Sequence, residues 1–138
     1  MTTNEVFISY DYDHDKRDKD RLLGWDVDHE FNFISYDKSL NVELDGSEAE
    51  DIKKNLTAQI GRSSHLLCLV GKETYRSGWA KWVIQKALEL KKKVVAVKPN
   101  SINNSPPALQ RRDVSWCNFN LQSIKKAITT PTTGILPV

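Results

Sequence analysis

Three short stretches hold the side chains that could do chemistry. Ser9-Tyr10-Asp11-Tyr12-Asp13-His14-Asp15 gathers hydroxyls, carboxylates and an imidazole into seven positions. Asp37-Lys38 sets an acid beside a base, and Lys72 and Arg76 lead into Ser77-Gly78-Trp79. The carboxylates alternating at Asp11, Asp13 and Asp15 match the first ligands of a calcium loop. The match then fails, because Lys16 occupies the place of the turn glycine and Leu22 that of the bidentate Glu. His14, His29 and His65 share no ligand spacing, and Cys68 and Cys117 fall in separate strand-like runs, so no metal site is expected. Neither a Walker loop nor a GxGxxG fingerprint occurs in the sequence.

The elements that must position these groups alternate between two periods. Runs at 6–10, 31–36, 66–70, 94–97 and 114–119 read as strands, the third being the most apolar segment of the chain. Between them, 14–25 is a highly charged helix with a mostly solvated surface. Residues 37–46 form a polar loop. Ser47, with Glu50 three positions on, reads as the capped start of a second helix, whose inner face is Ala49, Ile52, Leu56 and Ile60 and which Gly61 closes. Ser77 is the expected cap of a third helix bearing Trp79, Trp82, Val83, Ala87 and Leu90, with Lys91, Lys92 and Lys93 at its C-terminal end. Residues 121–128 make a final short helix. The expected domain spans 1–128, and 129–138, with two prolines and a glycine, read as a flexible tail.

Five strands alternating with helices specify a flavodoxin-like α/β domain. It has three layers around a five-stranded parallel sheet of order 2-1-3-4-5. Ligands of such sheets bind beyond the carboxyl ends of the strands, here at 9–13, 36–38, 71–74 and 98–100. A phospho-acceptor receiver needs an Asp after the third strand, where this chain has Val70-Gly71-Lys72. A flavin phosphate needs a hydroxyl- and glycine-rich loop after the first strand, where Asp11 and Asp13 would repel it.

Composition narrows the classes further. The 138 residues suffice for one core, and 39% hydrophobic residues with four Trp exclude a disordered tail. The apolar run at 66–70 is too short to cross a bilayer, the N-terminus lacks the apolar core of a secretory signal, and the two cysteines read as reduced thiols, so a cytoplasmic protein is expected. The net charge of +2 argues against a nucleic-acid binder. That total conceals a split: residues 1–60 hold 15 acids and 7 bases, residues 61–138 hold 3 and 13. In a 2-1-3-4-5 sheet the acidic part fills the side of strands one and two. The resulting dipole suits head-to-tail self-association.

Val6-Phe7-Ile8-Ser9-Tyr10-Asp11 resembles the opening motif of TIR and TIR-like domains. Leu66 to Gly71, Ser77-Gly78-Trp79, Trp82, Ala87 and the run from Lys92 to Val97 are similar to the rest of that pattern, in order and spacing over roughly residues 5–128. The likeness is greatest to the bacterial TIR-like group that includes the sensor of the Thoeris antiphage system. The resemblance implies a signalling domain that binds NAD or a related nucleotide and, if active, cleaves or cyclises it. NAD would be a substrate, with no tightly bound cofactor, and the partners an effector or phage protein or further copies of the chain. The implied nucleotide-binding residues are Ser9, Tyr10, Asp11, Asp37, Lys38, Lys72 and Trp79, with Arg76 a further cation for a pyrophosphate. The loop beginning at Asp37 is the one that, in this family, closes over the pocket and mediates assembly.

The family's catalytic Glu lies four residues after a Trp and four before a small residue. Trp79 and Ala87 match those flanks, and the position between them is Val83, which carries neither charge nor lone pair. Gln85 lies about 200° around the helix from it and Glu89 nearer the helix end, so neither replaces it. Val83 favours the alternative of a non-catalytic interaction and assembly module. Trp79 and Trp82, two aromatics at helical spacing, also read as core, as does Cys68.

Overall fold

Apolar residues follow one another without alternation in the central strands because both faces of the sheet are covered. The computed structural model describes residues 4–111 and 113–129. In chain order these form β1 (Asn4–Ser9), α1 (Lys16–Trp25), β2 (Phe31–Ser35), α2 (Ala49–Arg62), β3 (His65–Leu69), α3 (Gly78–Glu89), β4 (Lys93–Val97), β5 (Val114–Cys117) and α4 (Leu121–Thr129). Single 3₁₀ turns at Thr74–Arg76 and Pro107–Leu109 interrupt the connections after β3 and β4. All strand pairs are parallel and the order is β2-β1-β3-β4-β5, the expected flavodoxin-like sheet. Register is fixed by pairs such as Val6 with His65 and Leu69 with Val97.

Alternate strand residues divide into two cores. Phe7, Leu66, Cys68, Val94 and Ala96 face α2 and α3, where Leu56, Ile60, Trp79, Val83 and Ile84 meet them. Val6, Ile8, Leu67, Leu69, Val95 and Val97 face α1 and α4 through Leu22, Ile124 and Ile128. The acidic first sixty residues supply β2, β1, α1 and α2, and the basic remainder supplies the rest of the sheet. No helix among the described residues is long and apolar enough to cross a membrane.

Several boundaries differ from the sequence reading. Tyr10 lies beyond β1, where Tyr12 and Asp13 already turn the chain. β3 is displaced by one residue; Val70 leaves the ladder but stays buried, its N–H donating to the Val97 carbonyl at 2.8 Å. β5 stops at Cys117, and Phe119 packs instead on Trp25, ring centroids 4.8 Å apart. Ser47 does not cap α2. The helix begins at Ala49, whose N–H donates to the Gly46 carbonyl at 3.1 Å, so a turn satisfies the amide that the serine was expected to take. Gly61 lies within α2, which continues to Arg62 and is closed by Ser63, whose hydroxyl donates to the Gln59 carbonyl at 2.9 Å.

Ser77 does cap α3, its Oγ accepting from the Ala80 N–H at 3.0 Å. At the other end the Lys91 and Lys92 amides donate back to Leu88 and Ala87, a Schellman arrangement. Its left-handed position, normally glycine, is held by Lys91 at φ 61°. α4 includes Thr129, and the rest of the segment read as a tail, 130–138, lies outside the described residues. Cys68 is buried, Cys117 is partly buried, and both are free thiols. Burial pushes the Cys68 thiol up to about 12, as fits a core residue.

Candidate functional site

The turn after β1 borders a cavity of about 200 Å³. Ser9, Tyr10, Asp11, Tyr12, Asp13 and His14 supply one wall, Lys38 and Leu40 a second, and Ser77, Trp79, Ala80 and Val83 a third. Six of the expected site residues therefore converge: Ser9, Tyr10, Asp11, Lys38, Trp79 and Val83. Asp37 stands behind Tyr10 rather than on the wall, and Lys72 lines a neighbouring crevice. Arg76 is exposed and ion-paired with Glu73.

The acidic turn is held by its own side chains. Asp11 accepts from the Asp13 N–H at 3.0 Å and contacts the His14 imidazole at 2.7 Å. That carboxylate raises the His14 pKa. Asp13 accepts from the Ser39 hydroxyl at 2.7 Å and so ties the turn to the loop after β2. Asp37 accepts from Tyr10 at 2.5 Å and from Ser35 at 2.7 Å, with the Lys19 ammonium 3.4 Å away and 5.1 Å from the Tyr10 ring centre. Burial opposes the Asp37 charge, but these donors outweigh it and the carboxyl titrates below its usual range. Burial first, then the Asp37 hydrogen bond and charge, drive the Tyr10 phenol far above its ordinary value, so it serves as a donor and not as a base.

The loop after β2 is fastened across the cavity by α3. Trp79 Nε1 donates to the Val42 carbonyl at 2.8 Å, and Leu44 lies over Gly78 so closely that a Cβ there would come within 2.9 Å of it. Trp79 is 6% exposed and belongs to both the core and the cavity wall. Trp82 meets it edge-on and half-buried, outside the cavity. Gln85 and Glu89 point into solvent, Glu89 pairing with Lys86. Val83, 4% exposed, thus presents an apolar surface, and the cavity's carboxylates, Asp11 and Asp13, come from the turn after β1. Among the described residues no three His, Cys, Asp or Glu side chains converge as a metal site would require.

The inner face of α1 escaped the sequence reading. Asp15, Lys19, Leu22 and Asp26 recur at spacings of four, three and four, and all are buried. Asp26 accepts from the Glu30 and Phe31 amides, and Lys19 is paired with Asp20 and Asp37. Asp15, 7% exposed, has a carboxylate oxygen with no hydrogen-bond partner among the described residues. Helical spacing alone marked these charges as inward-facing, had the run been read as amphipathic around Leu22.

The family model described as Thoeris protein ThsB, TIR-like domain, matches residues 7–104. No curated protein matches. Among solved structures, a similar chain comes from the activated Roq1 resistosome directly recognizing the pathogen effector XopQ, in its TIR domains, at 22% identity and a TM-score of 0.53. That match covers 78% of this chain but 62% of the other, less than two thirds of its length, and its likeness is one of fold. The motifs of β1, β3 and α3, the sheet order and a family match running over more than half of the sequence agree: the chain belongs to the ThsB TIR-like domain family.

Proposed function

We propose that the chain is a cytoplasmic signalling domain of antiphage defence that binds NAD or a related nucleotide in the β1–α3 cavity without cleaving it. One observation carries this reading: the α3 position at which the resemblance expects a catalytic Glu is Val83, packed beside Trp79 in the cavity wall. A carboxylate there would stabilise an oxocarbenium-like ribosyl centre and orient its hydroxyls; an isopropyl group offers neither. At about 200 Å³ the chamber suits one end of a dinucleotide, with the remainder along Lys38 at its rim. The two free thiols accord with a reducing compartment.

The test compares the wild-type chain with Val83→Glu at high protein concentration. NAD is expected to raise the thermal midpoint of the wild-type protein saturably without being consumed, and turnover is expected only in the variant. Consumption by the wild type refutes the silent reading, and absence of both binding and turnover in the two proteins refutes the NAD reading.

The charge split supports a second reading, an assembly module whose acidic and basic sides join copies head to tail or engage an effector or phage protein. Sedimentation at low ionic strength, with and without NAD, is expected to show concentration-dependent oligomers that salt dissolves. Monomer throughout would remove self-assembly from the account.

A further inference from the structure

Beside the β1–α3 cavity, on the far side of His14, a second crevice of about 470 Å³ opens at the carboxyl ends of β3 and β4. Its inner wall holds the buried carboxylate of Asp15, one oxygen of which has no hydrogen-bond partner among the described residues. Asp15 stands at the N-cap position of α1, yet its side chain makes no cap hydrogen bond. The carboxylate turns instead against Gly71, where an added Cβ would lie 2.1 Å from one oxygen and 2.3 Å from the other. The carboxylate in this place relies on the absence of a Cβ at 71, and any larger residue would have to displace it. Such a group, desolvated and with one oxygen unpartnered, is unfavourable, and unfavourable placements of charge concentrate at binding sites.

The neighbouring carboxylates are already engaged. Asp11 holds His14, Asp18 is paired with Arg21, and Glu73 with Arg76. Lys72 lines the same crevice but makes no ion pair with Asp15. Asn103, also buried, donates its amide N–H to the Val70 carbonyl at 2.9 Å and so has its orientation set. Asn100 completes the polar wall. No ion pair reaches the Asp15 carboxylate among the described residues, and a positive charge with several hydrogen-bond donors would supply one. A tightly coordinated metal is disfavoured, since no three metal-ligating side chains converge among the described residues. A neutral donor would leave the charge uncompensated.

We propose that this crevice is a second ligand site, for a small protonated amine, in which the Asp15 carboxylate is the counter-charge. The ammonium's three N–H groups match a wall of carboxylate and amide oxygens, and charge-assisted hydrogen bonds supply the attraction. The site stands apart from the NAD reading and is tested without nucleotide. Ethylammonium and putrescine chloride are titrated into the full chain at pH 7.5, against sodium chloride of equal ionic strength and against magnesium chloride. Saturable amide shifts at residues 71–73 and 100–103 are expected with an amine, together with a saturable rise in thermal midpoint. Asp15→Asn, which keeps the side chain's size, is expected to weaken the response at least tenfold. A response that fails to saturate, that is equal in Asp15→Asn, or that only magnesium elicits would overturn the proposal.

Discussion

On one side of the turn after β1, the cavity wall at Val83 is apolar and continuous with the core; on the other, Asp15 keeps a buried carboxylate with one oxygen that has no hydrogen-bond partner among the described residues. The two clefts share His14 and are built from the same strand ends, yet they deal with charge in opposite ways. In the first, the carboxylates of Asp11 and Asp13 lie at the surface and are each hydrogen-bonded, so their retention costs little. In the second, the buried group has an oxygen without a partner, so its retention lowers stability. The difference separates a wall that helps the domain fold from one that works against it.

The sharpest test of this contrast is Trp79→Ala. If the first wall is core, losing the indole and its bond to Val42 lowers unfolding free energy by about 3–5 kcal/mol in denaturant titrations. Trp79→Phe loses about 1 kcal/mol, mainly the hydrogen bond. A small loss for the alanine variant would mean that the wall is not core.

On the second side, Gly71→Ala is expected to cost about 1–3 kcal/mol through overpacking. Most of that cost should vanish in an Asp15→Ala background, because the clash is with the carboxylate itself. Additive effects of the two changes would break the assignment.

Asp15→Asn has the opposite sign. Burial, followed by the charges of Asp11 and Asp18, raises the Asp15 pKa from 3.8 to about 6. The folded protein then holds this proton more tightly than the unfolded chain, so stability declines as pH rises from about 4 to about 6 and is level beyond. The asparagine variant escapes that decline. It should exceed the wild type by about 1–3 kcal/mol at pH 7.5 and match it below about pH 4. A variant equally stable with the wild type at both pH values would show that the carboxylate is well solvated.

The smallest effect belongs to Asp37→Asn. Its carboxylate is half exposed, and solvent screening limits the ion pair with Lys19 to well under about 1 kcal/mol. The change should instead loosen Tyr10, read as faster ring flipping and a weaker NAD-induced thermal shift.

The fold was legible in the sequence because both signals it needs are local. Unbroken apolar runs such as 66–70 mark strands covered on two faces, and Ser77 before a Trp79–Val83–Ala87 stripe marks a capped amphipathic helix. The missed boundaries at Ser47 and Gly61 were settled by turn and capping bonds that compete with residue preference. The part of the cavity built by the end of β1 and by Lys38 was legible too, since strand ends in this sheet order must converge, whereas Trp79 and Val83 on α3 came from the family resemblance. The Asp15–Gly71 contact was not. It joins positions 56 residues apart in sequence, and neither residue type announces it without the packing of α1 on the sheet.

The fastening of the loop after β2 gives its movement a particular character. Its Val42 carbonyl is bonded to an indole of the core, and its Leu44 lies on the first turn of α3. Uncovering the cavity is therefore a local unfolding of the 37–47 segment and not the swing of a free flap. Amide hydrogen exchange in that segment should report the opening equilibrium directly, with Trp79→Phe accelerating it there while leaving β1 and β3 protected.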